Sequence, residues 1–217
     1  MLDPFYVLVD SSDWLARLLP SGVRAAQLRI KDAAPEKLKA EIERASALCD
    51  RHGAQLVIND HWQEAMDAGC DYVHLGQQDL DHADIHALRR AGVRFGVSTH
   101  DHQELDRALS LEPDYIAFGP IYDTVGKDLP FAPQGLERLK LWRELAGGYP
   151  LVAIGGITLE RAPDLLKAGA DSVAVISDVL AAPDPEARAR AFIEATRGRI
   201  AAARADIMRL WRERMTT

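Results

Sequence analysis

Eight short apolar runs, each ending on a small or polar residue, recur along the chain. They are FYVLVD (5–10), AAQLRI (25–30), QLVIND (55–60), YVHLG (72–76), RFGVS (94–98), YIAFGP (115–120), LVAIGG (151–156) and SVAVIS (172–177). Runs that are hydrophobic without alternation suit strands buried on both faces, as in a parallel sheet. Between them lie stretches with apolar residues three and four apart; in 35–52, Leu38, Ile42, Ala45 and Leu48–Cys49 share one helical face. A strand-then-helix rhythm repeated eight times predicts an α/β chain of βαβ units. The natural closure for eight units is a (β/α)8 TIM barrel, with an open doubly wound sheet as the alternative. At 217 residues the barrel is compact, with few insertions. It is read as one domain over 1–198, with an amphipathic helical extension of the same domain at 199–217, where Ile200, Ala203, Ile207, Leu210 and Trp211 form a stripe.

Composition narrows the functional classes. Hydrophobic residues at 47% and charged residues at 27% are the mix of a soluble globule. The longest apolar stretches, such as Leu151–Ile157, fall far short of the roughly 18 residues of a membrane span. No basic-then-apolar signal segment opens the chain. Cys49 and Cys70 show no CxxC and no zinc-ligand spacing, which suits a reducing cytoplasm. A net charge of −7 speaks against nucleic acid as a partner. That charge is uneven: residues 186–217 carry eight Arg against four Asp or Glu. This basic tail reads as a solvated helix face or as a contact between copies in a homo-oligomer.

In such a barrel the active site lies where the strands end, on the loops leading into the helices. The strand ends at Asp10, Lys31, Asp60, Gly76, Ser98, Pro120, Gly156 and Ser177 are separated by 21, 29, 16, 22, 22, 36 and 21 residues. The long interval holds IYDTVGKDLPFAP (121–133), a candidate lid or clamp. In the second run Gln27, Arg29 and Lys31 share one face, offering an amide and two cations suited to phosphate oxygens. Asn59-Asp60 and Asp79 place two carboxylates on neighbouring strand ends, either as a hard-cation site for Mg²⁺ or as helix caps. His74 reads as a packed or hydrogen-bonded core histidine, and His61, His82, His100 and His102 as solvated residues at helix starts. Ser98 or Thr99 is expected to cap the helix starting near Asp101. The Gly155-Gly156 pair allows a ligand close to the backbone, and with Ile176-Ser177 it marks the recurrent phosphate site of this fold. The rim is therefore expected to take two phosphorylated small molecules.

In order along the chain, QLRIK (27–31), IND (58–60), HLGQQD (74–79), GVST (96–99), FGPIYDTVGK (118–127), APQGL (132–136), VAIGGI (152–157) and VAVIS (173–177) resemble the thiamine phosphate synthase family. The thiazole tautomerases share its barrel and much of its phosphate rim. The resemblance spans about residues 5–195 and implies joining of a hydroxymethylpyrimidine pyrophosphate to a thiazole phosphate, with release of pyrophosphate. It places pyrimidine pyrophosphate contacts on Gln27, Leu28, Arg29, Ile30, Lys31, Asn59, Ser98 and Lys127. The Mg²⁺ ligands it implies are Asp60 and Asp79. Thiazole phosphate falls to Thr124, Val125, Gly126, Gly156, Ile176 and Ser177. The chemistry it implies is dissociative: Arg29, Lys31, Lys127 and the metal stabilise the departing pyrophosphate, and no acid–base dyad is required.

One departure stands out. The family loop usually reads Thr-x-Thr-Lys, whereas this chain has Thr124-Val125-Gly126-Lys127, one hydroxyl short. Two rival readings follow from the same residues. A tautomerase-like relative would lack the pyrimidine pyrophosphate set and carry His where this chain has Pro120. A non-catalytic phosphate-binding regulatory barrel would bind ligand without turnover. If Lys127 stabilises the leaving pyrophosphate, Lys127→Ala lowers turnover by about tenfold or more, about 1.4 kcal/mol in the barrier. Unchanged steady-state rates would remove Lys127 from the mechanism.

Overall fold

A computed structural model describes residues 3–124 and 131–197. Eight parallel strands close into a barrel in chain order. They are β1 (Phe5–Val9), β2 (Ala25–Leu28), β3 (Gln55–Asn59), β4 (Tyr72–Leu75), β5 (Arg94–Thr99), β6 (Tyr115–Phe118), β7 (Leu151–Ile154) and β8 (Ser172–Val175). Helices follow each: α1 (Ser12–Leu18), α2 (Pro35–His52), α3 (Trp62–Asp67), α4 (Ile85–Arg90), α5 (His102–Ser110), α6 (Gly135–Ala146), α7 (Ala162–Lys167) and α8 (Ser177–Leu180). Residues 185–197 are helical as well. The open-sheet alternative is excluded by the β1–β8 pairing, in which Phe5 lies opposite Val173 and Val7 opposite Val175. The expected extension at 199–217 lies outside the described residues. Among the described residues no helix is long and apolar enough to cross a membrane.

The unalternating hydrophobicity of the strands has a direct structural cause, because each strand feeds two cores. Outward residues such as Val7, Leu28, Ile58, Val73 and Val173 join the apolar layer under the helices. Leu38, Ile42, Ala45 and Cys49 of α2 are buried in that layer, and Leu48 packs at its edge. Inward residues, among them Tyr6, Leu8, Val57, Tyr72, Tyr115 and Val152, fill the barrel. Both cysteines are buried and free, and burial raises the Cys49 thiol to about 12. Residues 185–197 close one end: Phe192 stacks on Phe5 with ring centroids 5.1 Å apart, and Arg197 reaches Asp3 at 3.1 Å.

The interior is tightest at β5. A Cβ on Gly96 would come within 2.1 Å of the Tyr115 ring, which packs against His74 at 5.5 Å and Tyr72 at 5.7 Å between centroids. Rings fixed in this way cannot withdraw, so one added methyl must displace a strand. Gly96→Ala is expected to cost about 1–3 kcal/mol, the usual range for overpacking. Chemical denaturation with an unchanged midpoint would show that the interior is looser than this geometry.

Candidate active site

The strand ends surround a cavity of about 610 Å³ walled by Arg29, Ser98, Thr124, Gly156, Ile176 and Ser177, among others. Six of the residues expected from the strand tips and the family likeness thus meet around one space. Lys31 is exposed on the rim and does not reach the wall. Leu28 and Ile30 send their side chains into the layer under the helices, so at those positions only the backbone is available to a ligand. Gln27 lies one step deeper, buried in the barrel, where its Nε2 donates to the Tyr6 hydroxyl at 2.8 Å. Asn59 is buried beside Asp60 and hydrogen-bonds its carboxylate. Val125, Gly126 and Lys127 lie outside the described residues.

The two carboxylates at the ends of β3 and β4 face each other. Asp60 is raised to about 6, first because it is desolvated, then because the Asp79 carboxylate is its neighbour and hydrogen-bond partner; Arg29 and Asn59 pull the other way. Asp60 sits in the left-handed backbone region at φ +62, a conformation that Asp and Asn tolerate. Neither carboxylate caps the following helix. His61 precedes α3 without a side-chain cap, and Asp79 instead accepts the Gly76 N–H at 3.1 Å. The cap of α4 is Asp84, which accepts from Ala87 N at 2.8 Å. Two carboxylates held together, the Asp60 one desolvated, are hard oxygen donors whose repulsion a divalent cation relieves.

On the opposite side of the mouth the β6–α6 loop lies against the end of β7. Ile121 N donates to Ile154 O at 2.9 Å, and Tyr122 N to Gly155 O at 3.1 Å. Gly155 and Gly156 have φ of +102 and +61, and a Cβ on them would meet Pro120 Cα at 2.6 Å and Asp123 O at 2.3 Å. The glycine pair was expected to admit a ligand; its first role is to admit the chain's own loop. Both glycines still line the cavity.

Several local expectations need correction. Ser98 and Thr99 do not cap α5; Asp101 does, accepting from Glu104 N at 2.9 Å. Thr99 is buried, donating to Ala117 O and accepting from Trp142 Nε1, each at 3.0 Å. Ser98 instead bonds His74 Nε2 at 2.8 Å, which makes His74 the hydrogen-bonded interior histidine expected. His100 is not a solvated residue: it lines the cavity, bonds Glu104 through Nδ1 at 2.7 Å and stacks on Phe131 at 4.3 Å. His61 is partnered too, with Ile30 O 3.1 Å from its Nε2. His82 and His102 are exposed as expected.

Sequence reasoning missed His100 and Arg161 as wall residues. Arg161 donates to Gly156 O at 2.6 Å and covers the Tyr122 ring at 4.3 Å. The i,i+4 spacing of His100 and Glu104 was a usable signal for the first; nothing local marked the second.

The chain matches the family model described as thiamine monophosphate synthase over residues 6–179. It is similar to a thiamine-phosphate synthase of Rhizobium etli, 56% identical over 195 residues that cover 90% of this chain and 96% of the relative. A thiamine-phosphate synthase of Neisseria meningitidis serogroup B is 48% identical, with 87% of this chain and 92% of the relative covered. Among solved structures, a thiamine phosphate pyrophosphorylase from Pyrococcus furiosus superposes with a TM-score of 0.80 at 26% identity, covering 89% of this chain and 95% of that one. A 3-hexulose-6-phosphate synthase, with a TM-score of 0.65 at 18% identity over 88% of this chain and 99% of that one, shares the fold alone.

The carboxylate pair has a measurable signature in the metal-free protein. Because the fold raises Asp60 from its ordinary 3.8 to about 6, folding favours the protonated form. The resulting penalty is absent below about pH 4, grows as pH rises towards 6 and is complete above it. Asp60→Asn is therefore expected to raise the metal-free melting temperature at pH 7 and leave it unchanged at pH 4. A wild-type-to-variant difference that is flat across that window would contradict the repulsion.

Proposed function

The chain belongs to the thiamine monophosphate synthase family, transferases of thiamine biosynthesis, and on that premise we propose how its barrel mouth divides the work. The pyrimidine pyrophosphate takes the β2–β5 side, with its diphosphate near Arg29 and Ser98 and its ring above Gln27, while Lys31 stands on the rim outside the wall. The thiazole phosphate takes the β6–β8 side, its phosphate against the backbone of Gly156, Ile176 and Ser177 and the loop from Thr124 to Gly126. The diphosphate is also the group we assign to Lys127. The single observation that carries this reading is the cavity of about 610 Å³ with Arg29 on one wall and a glycine-and-serine wall on the other, the Asp60–Asp79 pair lying near Arg29 outside the lining itself. That volume is within the roughly 300–1,000 Å³ typical of small-molecule sites.

The reaction needs charge management more than proton transfer. The bond from the pyrimidine methylene carbon to the diphosphate oxygen breaks, and its electron pair leaves with pyrophosphate. The electron-rich aminopyrimidine ring supports the methylene cation until the thiazole nitrogen lone pair forms the new carbon–nitrogen bond. Arg29 and Lys127 are assigned to the leaving charge, with Lys31 adding its charge from the rim, and the two halves of the mouth keep the rings in line. Asp60 and Asp79 are the residues that would hold Mg²⁺, and among the described residues no cluster of three or more His, Cys, Asp or Glu forms. Two carboxylates leave the remaining coordination positions to water and phosphate oxygens, as Mg²⁺ commonly requires. When bound, the ion supplies positive charge to the pyrophosphate oxygens.

Purified protein mixed with both substrates and Mg²⁺ is expected to form thiamine phosphate and to stop when EDTA is added. Substrate binding without product would replace this reading with a non-catalytic phosphate-binding barrel. Product formation undiminished by EDTA would remove the metal from it.

A further inference from the structure

A row of hydrogen bonds crosses the barrel interior from β2 to β5, beneath the cavity. Gln27 Nε2 donates to the Tyr6 hydroxyl at 2.8 Å, and the Tyr6 and Tyr115 hydroxyls lie 3.3 Å apart. Tyr115 Oη is 2.7 Å from His74 Nδ1, and His74 Nε2 is 2.8 Å from Ser98 Oγ. The Gln27 amide also lies beside Tyr115. Burial holds both tyrosines well above the ordinary phenol range, so each keeps its proton.

The protons in this row cannot be placed independently. Each phenol owns one proton, and a neutral imidazole owns one N–H, so a donor at one end forces the sense of the next bond. Two arrangements are self-consistent. In the first, Gln27 donates to Tyr6, Tyr6 to Tyr115, Tyr115 to His74 Nδ1, and His74 Nε2–H to Ser98, whose own proton then points to a ligand. In the second every bond reverses: Ser98 donates to His74, and Tyr6 donates to Gln27. The amide must then turn its carbonyl inward and offer its NH₂ to the ligand.

A diphosphate at Ser98 decides between them, since its oxygens accept and do not donate. It requires the Ser98 proton, hence the first arrangement, hence the Gln27 carbonyl oxygen as the end left for the ligand ring. We infer that the Gln27–Tyr6–Tyr115–His74–Ser98 chain couples an anion at Ser98 to a hydrogen-bond acceptor at Gln27, so that Tyr6, Tyr115 and His74 are positioning residues that select a ring bearing an amino donor. This rests on the proposed placement of the pyrimidine pyrophosphate between Ser98 and Gln27. The selection is of a kind that apolar packing supplies poorly, because a wrong ring leaves two acceptors facing each other in a buried site.

Tyr115→Phe keeps the ring and cuts the row in the middle. Calorimetry would compare the aminopyrimidine pyrophosphate with an analogue carrying methoxy in place of the amino group, which remains electron-rich but only accepts. The wild type is expected to favour the amino compound by about 100-fold or more. In Tyr115→Phe the amide is free to turn, and the preference is expected to fall below about tenfold while affinity for inorganic pyrophosphate stays within about threefold. A purely structural role would weaken both pyrimidines equally. Tyr6→Phe cuts the same row one link nearer Gln27 and serves if the first variant fails to fold. A preference kept in both variants overturns the coupling and leaves the proposed function standing. A wild type that binds neither pyrimidine overturns the placement on which the coupling depends.

Discussion

Closing eight parallel strands into a ring leaves an interior that side chains must fill, with no water and no free sheet edge. In this barrel the Tyr115 ring lies at the meeting point of that interior. It touches the face of His74, the edges of Tyr6 and Tyr72, and the bare backbone of Gly96. A phenol and an imidazole buried in such a place must find hydrogen-bond partners or lose stability. They find them in one another, in the Tyr6 hydroxyl and, at the two ends of the row, in Gln27 and Ser98. The packing requirement of the barrel therefore fixes the orientation of the side chains that the proposal brings to the ligand. Stability and recognition share the same few atoms.

The mouth divides by the chemistry of its strand ends. On the β2–β4 side, side chains carry the charge: Arg29 beside a carboxylate pair, one member of which resists ionisation. On the β6–β8 side the glycines at 155 and 156 let the β6–α6 loop lie close to the end of β7, and Arg161 is tied to Gly156 O. A wall of side-chain charges suits a highly charged leaving group and its cation. The single phosphate that stays on its ring is proposed to lie against the glycine-and-serine wall opposite. The chain's place in the thiamine monophosphate synthase family accords with the proposed division of the mouth between two different anions.

The elements were legible because strand burial on both faces writes a pattern that survives in local sequence. Each of the eight apolar runs became a strand, ending within three residues of the expected tip. The inward face of Gln27 and Arg29 followed from simple alternation. What local reading could not supply were partners distant in sequence. Thr99 looked like a cap but bonds Trp142, 43 residues on, and Ser98 belongs to His74. His100 looked solvated until Phe131 covered it. Gly155 and Gly156 were read for a ligand and serve a loop whose approach no spacing predicts.

By itself, then, the sequence determined the class of fold, the order of the strand tips and the kinds of charge they carry. These depend on period and residue type, which are properties of short segments. Only the tertiary structure decided that Asp60 and Asp79 oppose each other, that Lys31 stands off the cavity, and that Gln27, Tyr6, Tyr115, His74 and Ser98 form one row. Those facts depend on closure and on the relative register of strands that lie far apart along the chain. A pairing shifted by one residue would turn each inward side chain outward and dissolve the row.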